Sequence, residues 1–377
     1  MKIKSRWIIS LTKLAYFAII CIAVIRAMRF HVQPWDNMDL ARHMYMMELI
    51  KKSNYSLLEY VFIHGDAFTS NISMKFCYLF NLIVYLVAKH CKNYYIISWL
   101  FVFFDYCIIA YMGVDWWRSN GGRRGLECLY EILICFSLLP FFQAVSGLRT
   151  AMAACIMMLA LYYYLYKEKS FVKFCLLALL SATTHPAFIT AMPFAIVAKT
   201  VDRKKGLVLS VAGSGAVSAF ANIFIKSSNG FLYGVAFKYL QYTGEGGYRS
   251  TRFCYYGVIF ICILTILIYF YVFIFKREDK GFFVDNKGDH IRFRIKIYDF
   301  IVFYMFFVLS NIGAYEMVVR PAYLLGAMAP VITGLVFGTK NQNRKEDGII
   351  FFLQTMLVLL LIYVSFMYLI WHREYFV

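Results

Sequence analysis

Apolar stretches long enough to cross a bilayer recur along the whole chain, and polar residues gather in the short intervals between them. A lipid-exposed crossing must satisfy its own backbone groups, so these stretches are helices. The pattern predicts spans at 7–25, 94–113, 127–146, 150–166, 171–184, 186–198, 207–225, 253–275, 298–315, 321–338 and 348–370. Several are short for a hydrocarbon core about 30 Å thick, and the pair 171–184 and 186–198 also reads as one hairpin that crosses only in part. The run 76–88 has the length of a re-entrant or interfacial segment and is expected to dip in and return. The expected fold is therefore an all-α, polytopic integral membrane helical bundle, a single membrane domain over 1–377 with about 11 transmembrane helices plus one re-entrant or interfacial segment. No internal repeat or low-complexity segment interrupts it.

Loop charge gives the orientation, because Lys and Arg concentrate on the cytoplasmic side. From residue 115 onward the loops alternate. One side carries 20 basic residues, in the groups Arg118–Arg124, Lys167–Lys173, Lys199–Lys205, Lys276–Lys296 and Lys340–Lys345. The other side carries seven: Arg149, Lys226, Lys238, Arg249, Arg252, Arg320 and Arg373. The richer side is the cytoplasm. Lys2, Lys4 and Arg6 put the N-terminus there too, which leaves the loops 26–72 and 226–252 and the C-terminus outside. The first apolar run is longer than a signal-peptide core and lacks a small-residue cleavage site, so it reads as a retained helix.

Composition agrees: 62% of residues are apolar or aromatic and 16% charged, which excludes an ordinary soluble domain, a disordered chain and a disulfide scaffold. The net charge of +18 is an orientation signal, since no basic stripe lies on a soluble module able to hold nucleic acid. Ten cysteines are scattered through apolar runs without ligand or framework spacing. No P-loop, dinucleotide fingerprint or HExxH motif occurs.

Given that topology, Arg149, His185 and Arg320 all fall at the outer ends of spans, each preceding or opening a helix that runs inward. A glycine turn leads into Leu148-Arg149-Thr150, and a proline suited to the first helical position follows His185 and Arg320 directly. A helix N-terminus is already partly positive, so a guanidinium there is unfavourable unless an anion is present. Helix N-termini and arginines together bind phosphates well. The inference is a polyanionic head group, most simply a diphosphate, at the outer interface. A single Arg at a helix end also snorkels to lipid head groups, and a His before Pro also serves as a cap.

The first outer loop adds Arg29, Asp36, Asp39 and Tyr45. Two carboxylates three apart share one face if the segment is helical, and among aromatic rings they suit sugar hydroxyls; Asp36 also reads as a helix cap. The second outer loop holds Tyr242 and Arg249 around a glycine cluster, either a substrate lid or an ordinary solvated loop. Asp105 lies inside a span with no evident partner.

The stretch Gly147-Leu148-Arg149-Thr150-Ala151-Met152-Ala153, the basic turn Lys167-Glu168-Lys169, and Thr184-His185-Pro186-Ala187-Phe188 resemble the central signature of the EpsG-type, Wzy-like bacterial polysaccharide polymerases. An early Arg (Arg26 or Arg29) with Asp36 or Asp39 and Tyr45 is similar to the family's first-loop motif, and Arg320-Pro-Ala-Tyr323 to its late Arg…Tyr pair. Thr150 stands where the family has Gln, and Thr184 where it has Phe before the His. The resemblance implies a helical bundle like that of GT-C-like polymerases. It also implies polymerisation of polyprenyl-diphosphate-linked glycan repeat units on the outer face of the bacterial inner membrane. No nucleotide sugar, cofactor or metal would be needed, and His185, Arg149 and Arg320 would be catalytic. Asp36, Asp39, Arg29, Tyr45, Tyr323, Tyr242 and Arg249 would bind substrate. Partners would be the lipid-linked donor and acceptor, membrane lipid, a chain-length regulator and other assembly proteins. Capsule, exopolysaccharide and O-antigen remain open as products.

Two rival readings stand beside this one. A lipid-linked oligosaccharide flippase would carry polar groups along a path through the spans, and here they gather at one face. A glycosyltransferase using a polyprenyl-monophosphate sugar would share the outer site with Asp36 or Asp39 as base. In the polymerase reading His185 activates the acceptor hydroxyl, with those two carboxylates as its rivals.

Overall fold

A computed structural model describes residues 2–33, 38–69, 72–119, 141–167, 169–227 and 290–311, with ten scattered residues between 229 and 363. The described residues are helical, with no strand among them. They form two compact units, one drawn from Met1–Leu159 and Leu176–Ile189, the other from Ala160–Cys175 and Thr190–Val364.

The first unit begins with α1 (Lys2–Met28), which packs along α5 (Ile96–Ser119). At Gly113 of α5 a Cβ would run into the Tyr16 phenol of α1, so the glycine lets that ring pack directly on the α5 backbone. The predicted outer loop between them is mostly helical. It holds α2 (Asp39–Lys52), α3 (Leu57–Phe62) and a 3-10 turn (Ile72–Phe76), which lead to α4 (Tyr78–His90).

Local chemistry explains each of these. In α2, Asp39 sits in the first turn and Lys51 and Lys52 in the last, each at the end of the helix dipole that favours its charge. Leu40, His43, Met47 and Ile50 recur at helical spacing and form its buried face. A reciprocal cap opens α3: Ser56 N–H donates to Glu59 Oε2 (2.8 Å) and Ser56 Oγ accepts from Glu59 N–H. Those bonds hold the Glu59 carboxyl below its ordinary range. Both α2 and α3 pack on α4, the segment expected to be re-entrant. Asn81 of α4 donates to the Met74 carbonyl (2.8 Å), closing the 3-10 turn.

Among the described residues, two helices are long and apolar enough to cross a membrane: Ile96–Asp115, and Leu148–Tyr166, which is α7 (Leu148–Leu161) widened at its end into a π-helical turn (Tyr162–Tyr166). Ahead of α7 lies the short α6 (Phe141–Val145); after it come α8 (Phe171–Thr184), a 3-10 turn (Pro186–Thr190) and α9 (Ala191–Thr200). The predicted spans 171–184 and 186–198 thus appear as two separate shorter apolar helices. The spans predicted at 253–275, 321–338 and 348–370, and most of 127–146, lie outside the described residues.

Three hydrogen-bonded ties gather one end of the first unit. The Tyr95 hydroxyl accepts from Val32 N–H (3.2 Å) and donates to Val32 C=O (3.1 Å), pinning the chain leaving α1 to the start of α5. Ser98 Oγ donates to the Val145 carbonyl (2.9 Å), pinning α5 to the end of α6. Ser181 Oγ donates to Ala153 C=O (2.7 Å), so the last turn of α8 lies against the first turns of α7. The segments carrying Arg149 and His185 meet at this end.

In the second unit, α10 (Arg203–Phe224) and α9 pack on α11 (His290–Ser310). The Arg203 guanidinium bonds Asp299, which is almost fully buried, at 2.8 Å. Lys199 lies over the Tyr164 ring and donates to the Tyr164 carbonyl (3.0 Å), and Lys173 lies over Tyr163. These lysines set their ammonium groups on aromatic faces at the π-helical turn.

Candidate functional site

Ser146 and Gly147 make the turn that starts α7, and the amides of Thr150 and Ala151 both donate to the Gly147 carbonyl (2.9 and 3.1 Å). This places Arg149 in the first turn, half-buried. Its guanidinium carbon lies 5.4 Å above the Phe80 ring of α4, and Nη1 is 3.8 Å from Cys77 Sγ at the start of that helix. Neither partner balances the charge. A guanidinium on an aromatic face, at the positive end of a helix, presents its remaining N–H groups to an anion.

The same Phe80 ring carries a second group. The His43 imidazole, 6% exposed, packs on it with ring centroids 4.8 Å apart. Burial, and then the neighbouring Arg149 charge, hold His43 far below its ordinary value, at about 3; Asp39 opposes this and Arg42 adds to it. Asp39, one helical turn before His43, is itself paired with Arg42 at 3.6 Å. Arg149, His43 and Asp39 thus bring α7, α4 and α2 to one place.

His185 ends α8, 6% exposed, with its amide donating to Ser181 C=O (2.9 Å). Its Nδ1 accepts the Ala187 amide (3.2 Å), and Phe188 meets the ring edge-on. An imidazole that accepts at Nδ1 and is neutral carries its proton on Nε2, so Nε2 acts as a donor while that bond holds.

Of the other residues singled out from sequence, Arg29 and Tyr45 are exposed, Tyr45 on the face of α2 opposite the buried one. Asp36, Arg320, Tyr323, Tyr242 and Arg249 lie outside the described residues. Asp105 is fully buried in α5 beside Cys155, with no hydrogen bond of good geometry to either carboxylate oxygen. Sequence reasoning missed His43, Cys77 and Phe80. The available signal was the four-residue step from Asp39 to His43, in register with Met47 and Ile50. No group of His, Cys, Asp and Glu able to hold a metal occurs among the described residues.

Comparison with curated proteins and with solved structures returns no match. The model of the EpsG family matches residues 14–375, nearly the whole chain. With its apolar helices and a family match of that extent, the chain is a membrane protein of the EpsG family, a family of Wzy-like polysaccharide polymerases.

Proposed function

We propose that this protein joins polyprenyl-diphosphate-linked oligosaccharide repeat units on the outer face of the bacterial inner membrane, releasing polyprenyl diphosphate. The observation that carries the reading is Arg149: a half-buried guanidinium at the first turn of α7, set against a ring and a thiol that leave its charge unbalanced. The topology that goes with it has 11 crossings, a cytoplasmic N-terminus and the gathered ends of α5, α7 and α8 facing out.

In the reaction an acceptor hydroxyl attacks the anomeric carbon of the donor. The bond from that carbon to the diphosphate oxygen breaks, and its electron pair stays on the diphosphate. Arg149 and Arg320 hold the developing charge, and fixed charges aimed at a leaving group are the strongest source of rate acceleration in sites of this kind. The arginines stay protonated and do not act as bases. His185 donates from Nε2 to a substrate oxygen, as its bond from Ala187 favours. The Asp39 carboxylate takes the hydroxyl proton. Asp36, Arg29, Tyr45, Tyr323, Tyr242 and Arg249 line the sugar-binding part of the site. A chain-length regulator and other assembly proteins act with it in the membrane.

The test is polymerisation by purified protein supplied with lipid-linked repeat units. The expected product is a ladder of longer glycans together with free polyprenyl diphosphate. A protein that moves these lipids between leaflets of a vesicle without lengthening the glycan would refute the reading.

A further inference from the structure

The inner face of α2 is otherwise apolar: Leu40, Ala41, Met46, Met47 and Ile50 accompany His43. An imidazole in that row takes a slot that an apolar side chain would fill, and it shares the Phe80 ring with Arg149. We propose that His43 is a proton-binding member of the diphosphate seat: neutral while the seat is empty, and protonated as a diphosphate settles on Arg149. This rests on the diphosphate reading above.

Among the described residues, the charges around His43 are Arg149 from α7 and, on its own helix, Asp39 and Arg42; Cys77, at the start of α4, adds a thiol beside Arg149. Two guanidinium groups against one carboxylate, in a buried position, disfavour a third cation. The empty seat therefore holds an uncharged imidazole at any pH near neutral. A diphosphate brings two or more negative charges. It cancels the Arg149 field at the ring and adds attraction of its own, and both effects favour imidazolium. The protonated ring then adds one charge and one donor next to the guanidinium.

The consequence is proton linkage. If binding takes up one proton, affinity for the diphosphate falls up to tenfold for each pH unit of rise. Once product leaves, the Arg149 field returns and the proton is released, so the same group that helps grip the diphosphate resets when the seat empties.

The experiment is titration calorimetry of the purified full-length protein with farnesyl diphosphate, in buffers of different ionisation enthalpy at one pH. The same titrations are run on His43→Phe, which keeps the ring packing, and on His43→Asn, which keeps a polar group of similar reach. Wild type should take up close to one more proton per bound diphosphate than either variant, and its affinity should fall with pH more steeply than theirs. Equal proton uptake in wild type and in whichever variant folds, with the probe still bound, would overturn the role of His43 and leave the diphosphate reading standing. Failure of wild type to bind the probe at all would overturn both.

Discussion

Truncating Arg149 to alanine separates its structural role from its chemical one. Its packing value is small: a guanidinium 5.4 Å above the Phe80 ring is worth about 0.5–2 kcal/mol, and the 3.8 Å contact to Cys77 Sγ adds little. Arg149→Ala should therefore lower stability by no more than about 2 kcal/mol and leave insertion intact. Against a bound diphosphate the same group makes charged hydrogen bonds worth about 1.5–3 kcal/mol each. A bidentate pair comes to about 3–6 kcal/mol, or roughly 10²- to 10⁴-fold in donor affinity at about 1.4 kcal/mol per decade. Stabilisation specific to the departing diphosphate adds a loss in turnover. Arg149→Lys should recover only part of this, because the planar fork is gone and a point charge replaces it. The assay measures product ladders and single-turnover rates with purified lipid-linked repeat units, beside thermal melts in detergent. An alanine variant that melts far below wild type yet polymerises at the wild-type rate when folded would make Arg149 a packing residue and refute the argument.

Three further outcomes follow from the same geometry. Asp39→Asn should lose about 10²- to 10⁴-fold in rate while His185→Gln, which keeps a donor, retains more activity than His185→Ala; the reverse ranking would make the imidazole the base and require its Nδ1 bond to Ala187 to break in the complex. Ser181→Ala removes the bond to the Ala153 carbonyl, a loss of about 1 kcal/mol in a melt, and should slow turnover because the ends carrying Arg149 and His185 lose their tie; an unchanged rate would show that this tie does not position them. Arg203→Ala should destabilise by about 3–5 kcal/mol, since it strands a buried Asp299, and Asp299→Ala by less, since Arg203 is partly exposed; equal losses in melts would refute that asymmetry.

The fold was legible where a segment's own composition decided its state. The runs 94–113 and 150–166 are apolar or aromatic at nearly every position, Asp105 being the one charge in them, and α5 and α7 with its π-helical turn cover nearly all of them, α5 running on to Ser119. The bounds 171–184 were matched by α8 because a basic turn precedes it and a His-Pro step ends it. What stayed hidden was the helical content of the first outer segment. The α2 sequence carries almost as many charged as large apolar residues, so no hydropathy window marks it. It is held as a helix by capping charges and by burial of one face on α4, and that second cause depends on where α4 goes, which no local pattern encodes.

The same division runs through the site. Arg149 and His185 stood out because their local setting is anomalous: a guanidinium at a helix start, and an imidazole before a helix-opening proline. His43 has no such anomaly. It follows Arg42 and precedes Tyr45, and an aromatic next to a motif carboxylate draws attention first to the tyrosine. The roughly 100° step per residue of an α-helix settles the matter otherwise. Measured from Asp39, the pattern of Leu40, Met47 and Ile50 turns His43 inward and Tyr45, 65% exposed, away. What then makes His43 chemically distinct is burial on α4 together with two residues far from it in sequence: Phe80, whose ring carries both the imidazole and the guanidinium, and Arg149, whose charge adds to burial in disfavouring the imidazolium. A residue whose surroundings are completed by partners 37 and 106 positions away is visible only once the chain has folded.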